Sequence, residues 1–430
     1  MQKNPISVRS PTGAIAIPEG VRCLLIASIF PPIHGGSAVV YDNLCQFMPK
    51  GSIEVLTARK NYLDNATVAG WQSHDAESPY KVTRVDFLRP RILPPPANKL
   101  VSVWRLLFQD LPVYASALLA AAHIVKKNDI NLVCVGEIGT GSWLAMILRK
   151  WYGVKVMIYV HGEEITTASG GRFSGNKRQA YLRSADRIIS VSKFTCDALT
   201  SLMQVVPASI SLIQNGVDTA RFTPGPRSPT LIARHGLGGK KVVISVGRLV
   251  RRKGIDHAVL AFGKMLRQRQ RPDVHYLIVG DGEMRVELAR LIAAEGLQQH
   301  VTLAGMVSDS ELVDYLRLCD VFLLPNRTLE NGDTEGFGLV FREANACGKP
   351  VIGGRAGGVV EAVHDNVSGL LVDGGDIAEI AAALARILDD EALAARLGAG
   401  GLQLARANDT AAVANLFLQT CSAVLAAPRA

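Results

Sequence analysis

The sequence predicts an α/β chain built of two similar halves. Short apolar runs of the size of buried parallel strands recur along the whole chain. Helix-favouring stretches separate them, as the strand–helix rhythm of a parallel sheet requires. A cluster of turn signals, Asn215-Gly216 and Pro224-Gly225-Pro226, interrupts that rhythm near the middle. With 430 residues, two domains of about 200 each are the natural division.

In the first half, a polar leader precedes Arg22 to Ile29, a buried-strand run, then Phe30-Pro-Pro-Ile-His-Gly-Gly-Ser37 and a helix from about Ala38. A strand, then Gly35-Gly36, then a helix lets a phosphate approach the backbone, although Gly-Gly after a strand is also an ordinary turn. Ser52 to Leu56 and Tyr80 to Phe87 read as strands, with an irregular insertion, Arg59 to Ser78, between them. Pro94-Pro-Pro96 leads into a helical region, Lys99 to Val125, that Pro112 kinks or splits. Trp104 beside Arg105 suits either a membrane-interface helix or a half-buried core helix, and the core reading is preferred. Leu132 to Val135, Lys155 to Val160 and Ala185 to Val191 continue the strands. The second of these ends at His161-Gly-Glu-Glu164. Ligands gather outside the carboxyl ends of strands in open α/β sheets, so His161 is a candidate ligand contact as well as a candidate backbone partner.

The second half repeats the pattern. Val242 to Val246 is a strand, and Gly247-Arg248-Leu-Val-Arg-Arg-Lys253-Gly254 follows before a helix near Asp256 to Arg267. Arg248 and Lys253 can converge from this loop on one diphosphate, Arg as a bidentate fork and Lys as a point charge; an exposed basic loop is the alternative. Tyr276 to Val279 ends in Gly280-Asp-Gly-Glu283, Val301 to Val307 precedes a helix from Ser310, and Val321 to Leu324 enters a long polar loop, Asn326 to Thr334. Glu335-Gly-Phe-Gly-Leu-Val-Phe-Arg-Glu343 comes next. Leu339 to Ala346 lacks a helix breaker before Gly348 and Pro350, so a helix opens near Gly338 with free N–H groups that suit a phosphate. Glu335 stays in the loop while Glu343 lies about one and a half turns into the helix. The two carboxylates then reach different parts of one ligand carrying hydroxyls and phosphate, unless this is a surface loop and a solvated helix. Gly369 to Val372 is a short edge segment, Ile377 to Ile387 and Ala392 to Leu397 are alanine-rich helices, and an amphipathic helix covers Thr410 to Leu425.

Composition narrows the partners. Apolar residues are 48% and charged residues 20%, the balance of a folded chain. Seven scattered cysteines without a C-x-x-C pair argue against a disulfide framework or zinc site and for a reducing cytosol. The leader's apolar run, Ala14 to Ile17, is too short for a signal peptide, and no run approaches the roughly eighteen apolar residues that span a bilayer. Of the net charge of +9, residues 1–220 hold 23 basic and 15 acidic groups, leaving +8, and residues 221–430 hold the remaining +1. The basic half points to an anionic partner: a lipid surface, a phosphorylated substrate or, least favoured for want of a motif, nucleic acid.

Taken together, Arg248 and Lys253, Gly280-Asp-Gly, Ala304-Gly-Met-Val307, Glu335-x7-Glu343, Ala346-Cys-Gly-Lys-Pro350 and Gly357-Gly358 resemble the retaining glycosyltransferases of family four in order and spacing. The resemblance is dense from Val242 to Leu371. It is looser before that, at Gly35-Gly36, His161-Gly, Ala185 to Ser192 and Asn215-Gly-Val-Asp218. It implies a GT-B architecture, two doubly wound Rossmann-like domains facing across a cleft. Residues 1–220 would be the acceptor side, joined by a last helix at about 410–430, and residues 221–409 the donor side.

The resemblance also implies roles. Arg248 and Lys253 would hold the donor diphosphate, Glu335 would reach the hydroxyls of the transferred sugar, and His161 would sit near that sugar. Gly36, Gly247, Phe337, Gly338 and Leu339 would bring backbone to the donor, Val307 would meet the nucleobase, and Glu343 the ribose. Such enzymes are thought to react on one face through an oxocarbenium-like state, so Glu335 holds the sugar and is not a nucleophile. No metal or other cofactor is expected, since no Asp-x-Asp occurs. The long loop before Glu335 is similar to that of phosphatidylinositol mannosyltransferases and envelope-polysaccharide enzymes. This favours GDP-mannose as donor, a lipid-linked or glycan acceptor, and a cytoplasmic protein peripheral on the inner face of the membrane. Glu163 after the His161-Gly pair departs from the pattern. A nucleotide-sugar 2-epimerase of the same fold and a non-catalytic sugar-nucleotide-binding scaffold are the rival readings.

Overall fold

The short apolar runs pair into two all-parallel sheets in the computed structural model, which describes residues 20–428 apart from 34, 63 and 168–174. The leader at 1–19 lies outside the described residues. In the first sheet, β1 (Cys23–Ile26), β2 (Ile53–Ala58), β3 (Lys81–Val85), β4 (Leu132–Val135), β5 (Lys155–Val160), β6 (Arg187–Ser190) and β7 (Ile210–Leu212) lie in the order β3-β2-β1-β4-β5-β6-β7. In the second, β8 (Lys241–Val246), β9 (Val274–Val279), β10 (Val301–Gly305), β11 (Val321–Leu324), β12 (Val351–Gly354) and β13 (Gly369–Val372) lie in the order β10-β9-β8-β11-β12-β13. The central strands β1, β4, β8 and β11 have almost no exposed residue, because helices cover both faces of each sheet.

Each sheet reverses its winding once, between β1 and β4 and between β8 and β11. Loops leaving neighbouring strands at such a point splay apart and open a crevice at the carboxyl ends. The chain crosses back at its end. Val217 N donates to Asn408 O (3.1 Å) and Thr410 N donates to Val217 O (3.1 Å), and the helix Thr410–Ala426 then packs on Gly36–Phe47. Phe417 stacks on Tyr159 of β5 at 6.4 Å.

Three expectations are corrected. The insertion at 59–78 is not structureless: it contains the helix Trp71–Glu77, whose Asp75 binds Arg84 Nε and Nη2 at 2.8 Å each. Arg84 also donates to Pro31 O, so the insertion braces the loop that leads from β1 to Gly36. The alanine-rich helix expected to end at Leu397 runs as Glu391–Ala407 through three glycines. A Cβ at Gly398, Gly400 or Gly401 would meet Gly348 O, Val367 O or Asn345 Nδ2 at 2.4, 2.2 and 2.3 Å, so the glycines are there for close packing and not as a stop. The region from Lys99 is one helix, Lys99–Lys127. A π turn at Leu106–Asp110 absorbs the N–H that Pro112 lacks, and Trp104 lies exposed outside the core.

Candidate active site

The two switch-point loops of the second half meet at Lys253 and Glu335. Gly254, at φ +69, presses against the other loop so closely that a Cβ there would lie 2.0 Å from Pro325 O. This contact carries Lys253 Nζ to within 2.5 Å of Glu335 Oε2, and Asn326 Nδ2 donates to the same oxygen at 3.2 Å. Burial pushes the Glu335 carboxyl up, but Lys253, Arg252 and Arg248 outweigh it and hold the group below its ordinary range. Glu335 is therefore an ionised acceptor in a largely buried place. Gly247, at the end of β8, lies against the Lys253 side chain, 3.7 Å from Cε to the position of a Cβ.

Arg248 and Arg252 turn toward the first half. Glu163 Oε2 lies 3.6 Å from Arg248 Nη2 and 3.2 Å from Arg252 Nη2, and Arg252 Nη1 also reaches Asp333 at 3.3 Å. One carboxylate of the first half thus bridges two cations of the second. Beside it the backbones touch: a Cβ on Gly336 would fall 1.7 Å from His161 O. Any side chain at 336 would force the loops apart.

His161 is brought to this seam, with its ring already engaged. Tyr41 Oη donates to Gly136 O (2.6 Å), so its one proton is used and it accepts from His161 Nε2 (2.7 Å). Nδ1 is then the unprotonated nitrogen. Burial pulls the imidazole down to about 4, so it is neutral in ordinary buffers. Its ring stacks on Tyr159 at 5.1 Å, and its backbone N–H donates to Glu164 Oε1 at 2.8 Å.

The helix predicted from Gly338 is Leu339–Ala346, with Gly338 at φ +89 as an N-cap that supplies no side-chain bond. Phe337 is buried beneath the Arg342 guanidinium, 5.9 Å away, which leaves only backbone to offer at 337. Leu339 rests partly buried on the core. Glu343 is buried, and among the described residues its carboxylate has no hydrogen-bond or ion-pair partner. Burial pushes it up to about 7, against the pull of Arg221 and Lys253. Arg221 donates to Asp309 O, which places Glu343 and the segment after Val307 in one electrostatic neighbourhood. Val307 itself packs partly on the core, and Gly36 opens the helix Gly36–Phe47 beside empty space; among the described residues neither shares a hydrogen bond or ion pair with Lys253 or Glu335.

Sequence reasoning missed Tyr41, Asn326, Arg252 and the bridging role of Glu163. Arg252 stands next to Lys253 in the same basic loop, the one signal that could have found it; Tyr41 and Asn326 reach the site only through the fold. Among the described residues no group of three His, Cys, Asp or Glu side chains could hold a metal ion.

Two doubly wound domains meeting at an anion-suited seam define the GT-B class of glycosyl-transferring proteins. Residues 34–221 match the family model described as Glycosyltransferase Family 4, and residues 228–403 match Glycosyl transferases group 1. The chain belongs to the family 4 glycosyltransferases. It is 34% identical over 284 residues, 65% of this chain and 72% of the relative, to a GDP-mannose-dependent alpha-(1-6)-phosphatidylinositol monomannoside mannosyltransferase of Mycolicibacterium smegmatis. It is 28% identical over 387 residues, 88% of this chain and 92% of the relative, to a GDP-mannose-dependent mannosyltransferase of Corynebacterium glutamicum acting on the monoacylated phosphatidylinositol monomannoside. Its fold is shared with Anabaena HepE, solved with UDP and glucose (TM-score 0.73, 20% identity, 94% of this chain and all of that one). It is shared equally with the sucrose-phosphate synthase of Thermosynechococcus elongatus (TM-score 0.74, 23% identity, 95% of this chain and all of that one).

Proposed function

We propose that this glycosyltransferase moves a hexose, with mannose favoured, from GDP-mannose to a hydroxyl of a lipid-linked or glycan acceptor, with retention at the anomeric carbon and without a metal. The observation that carries the reading is the ionised Glu335 beside Lys253 and Arg248, at the mouth of an uncapped helix. A diphosphate leaving group needs cations and oriented dipoles more than it needs a covalent nucleophile. Lys253 and Arg248 neutralise the diphosphate as the glycosidic bond breaks, and the N–H groups at Gly338 and Leu339 add their dipoles. Glu335 accepts from hydroxyls of the transferred sugar and fixes its face. Glu343, otherwise without a partner among the described residues, accepts from the ribose. Neutral His161 has Nδ1 available as an acceptor near the sugar. The departing phosphate oxygen, on the same face as the acceptor, takes the proton of the attacking hydroxyl.

The names of the mycobacterial and corynebacterial relatives support the donor and the lipid acceptor. On this reading residues 1–220 and the last helix form the acceptor side, and residues 221–409 the donor side. The protein works at the cytoplasmic face of a membrane. Melting the protein with GDP-mannose, GDP, UDP-glucose and UDP tests the donor, because a bound ligand stabilises in proportion to ln(1 + [L]/Kd). A shift with the UDP compounds alone would overturn the donor assignment. Transfer that disappeared in EDTA and returned with Mn²⁺ would overturn the metal-free mechanism.

A further inference from the structure

The first part of the helix Lys99–Lys127 has an apolar stripe and nothing against it. No residue of Lys99–Arg105 or of the π turn Leu106–Asp110 is buried, whereas Ala117, Ala121, Ile124 and Val125 root the second part in the fold. Leu100, Val103, Trp104, Leu107, Phe108 and Leu111 follow the spacing i, i+3, i+4, i+7, i+8, i+11, one face of a helix. In a core helix that face would point inward. Here all six are exposed, Leu100 by 81% and Phe108 by 65%. A contiguous exposed stripe of this kind marks a surface that meets something apolar.

Charge selects the occupant. Residues 88–111 contain four cations, Arg89, Arg91, Lys99 and Arg105, against one carboxylate, Asp110. A second copy of the chain seated on the stripe would set two such groups of cations against each other. An anionic bilayer surface would instead pair the cations with lipid phosphates while the apolar side chains enter the acyl boundary. Length selects the mode. The unburied part, seven residues of α-helix and five of π turn, is roughly 18 Å long at about 1.5 Å per residue. That is short of the ~30 Å hydrocarbon core. The whole helix, Lys99–Lys127, is by length and composition enough to cross a membrane, contrary to the expectation from the sequence, but Ala117, Ala121, Ile124 and Val125 are buried against the fold, so the exposed segment lies in the interface and does not span it. We infer that the stripe from Leu100 to Leu111 docks the enzyme onto an anionic lipid bilayer. The inference rests on the proposed function only in its consequence, delivery of the cleft to a membrane-bound acceptor.

The test is co-sedimentation of the full chain with vesicles of phosphatidylcholine alone and of phosphatidylcholine mixed with phosphatidylglycerol, for the wild type and for Leu107→Ser combined with Phe108→Ser. Both side chains are exposed, so the double variant folds, and its melt confirms it. The wild type partitions onto the anionic vesicles and is released by salt, and the double variant binds about tenfold more weakly or less. Equal binding by the variant, no binding by the wild type, or a wild-type dimer that the variant dissolves would each overturn the docking surface. Nucleotide-induced melting shifts on the same samples separate the two readings. Vesicle binding without any nucleotide shift sinks the proposed function alone, and a nucleotide shift without vesicle binding sinks the docking surface alone.

Discussion

Lys253 and Glu335 share a buried contact, and removing either leaves the other without its main partner. Lys253→Ala is expected to melt cooperatively but at a lower temperature, since among the described residues Glu335 keeps one side-chain hydrogen bond, from Asn326, and the more distant Arg252 and Arg248. On the proposed function its kcat should fall about 10²-fold or more, because the cation assigned to the leaving group would be gone. Near-normal transfer by this variant would place the phosphate elsewhere. Glu343 gives a prediction with a sign. Its folded-state carboxyl is raised to about 7 above an ordinary 4.5, so its contribution to stability is fully present below pH 4.5 and is lost as pH rises through 7. Glu343→Gln removes that loss. The melting temperature of the variant minus that of the wild type should therefore increase between pH 4.5 and pH 8, while donor KM rises through the lost ribose acceptor. A flat difference across that range would mean Glu343 is ionised throughout. His161 works in the opposite direction. Lowered to about 4 from 6.5, it holds stability above pH 6.5 and loses it as pH falls toward 4, so only the difference between variant and wild type isolates Glu343.

At the scale of elements, the helix Leu339–Ala346 is only eight residues long, and its direction is set from behind. Gly398 and Gly401 of the helix Glu391–Ala407 let it approach, and Asn345 bonds Lys349 O (3.0 Å) and Ser368 O (3.1 Å) at the same place. Gly401→Val should destabilise by about 1–3 kcal/mol, the usual effect of overpacking, and should raise donor KM because the helix that carries Glu343 must shift. A denaturant midpoint and a KM measured together check this; a stability loss with unchanged KM would detach that packing from the site. The helix boundary at Gly338 was legible in the sequence, since a breaker-free stretch between glycines has few alternatives. The end of Glu391–Ala407 was not. A glycine that stops a helix and one that admits a neighbour look the same until the neighbour is known.

Polar groups tie the two halves of the molecule together across the seam. Glu361 of the second half accepts from the backbone N–H groups of Lys193 (2.8 Å) and Phe194 (3.0 Å) at the start of the helix Lys193–Met203, and from Gln214 Nε2 (2.8 Å). Glu163 spans the seam from the other side to Arg248 and Arg252. Arg248 and Glu163 are more than half exposed, so their contact contributes under about 1 kcal/mol. If Arg248 holds the diphosphate as proposed, Glu163→Gln should lower donor KM by about two- to fivefold without lowering kcat, because the diphosphate would no longer compete with a carboxylate for that guanidinium. A raised KM would make Glu163 a support of the donor site and not its competitor.

What the sequence determined by itself was the strand–helix rhythm, the division into two halves, the helix opening at Gly338, and the presence of a cationic loop after Val246 with one carboxylate, Glu335, in a loop and another, Glu343, in a helix. These follow from local rules of apolar periodicity, glycine geometry and charge type. Only the tertiary structure decided that Lys253 grips Glu335, that Tyr41 uses up one nitrogen of His161, that Glu163 crosses to Arg248, and that the Trp104 helix faces water. Each of these depends on which loops the sheet order brings together and which helix face finds a neighbour. A winding reversal between β8 and β11 places residues 82 apart in hydrogen-bond contact, and no local pattern carries that information.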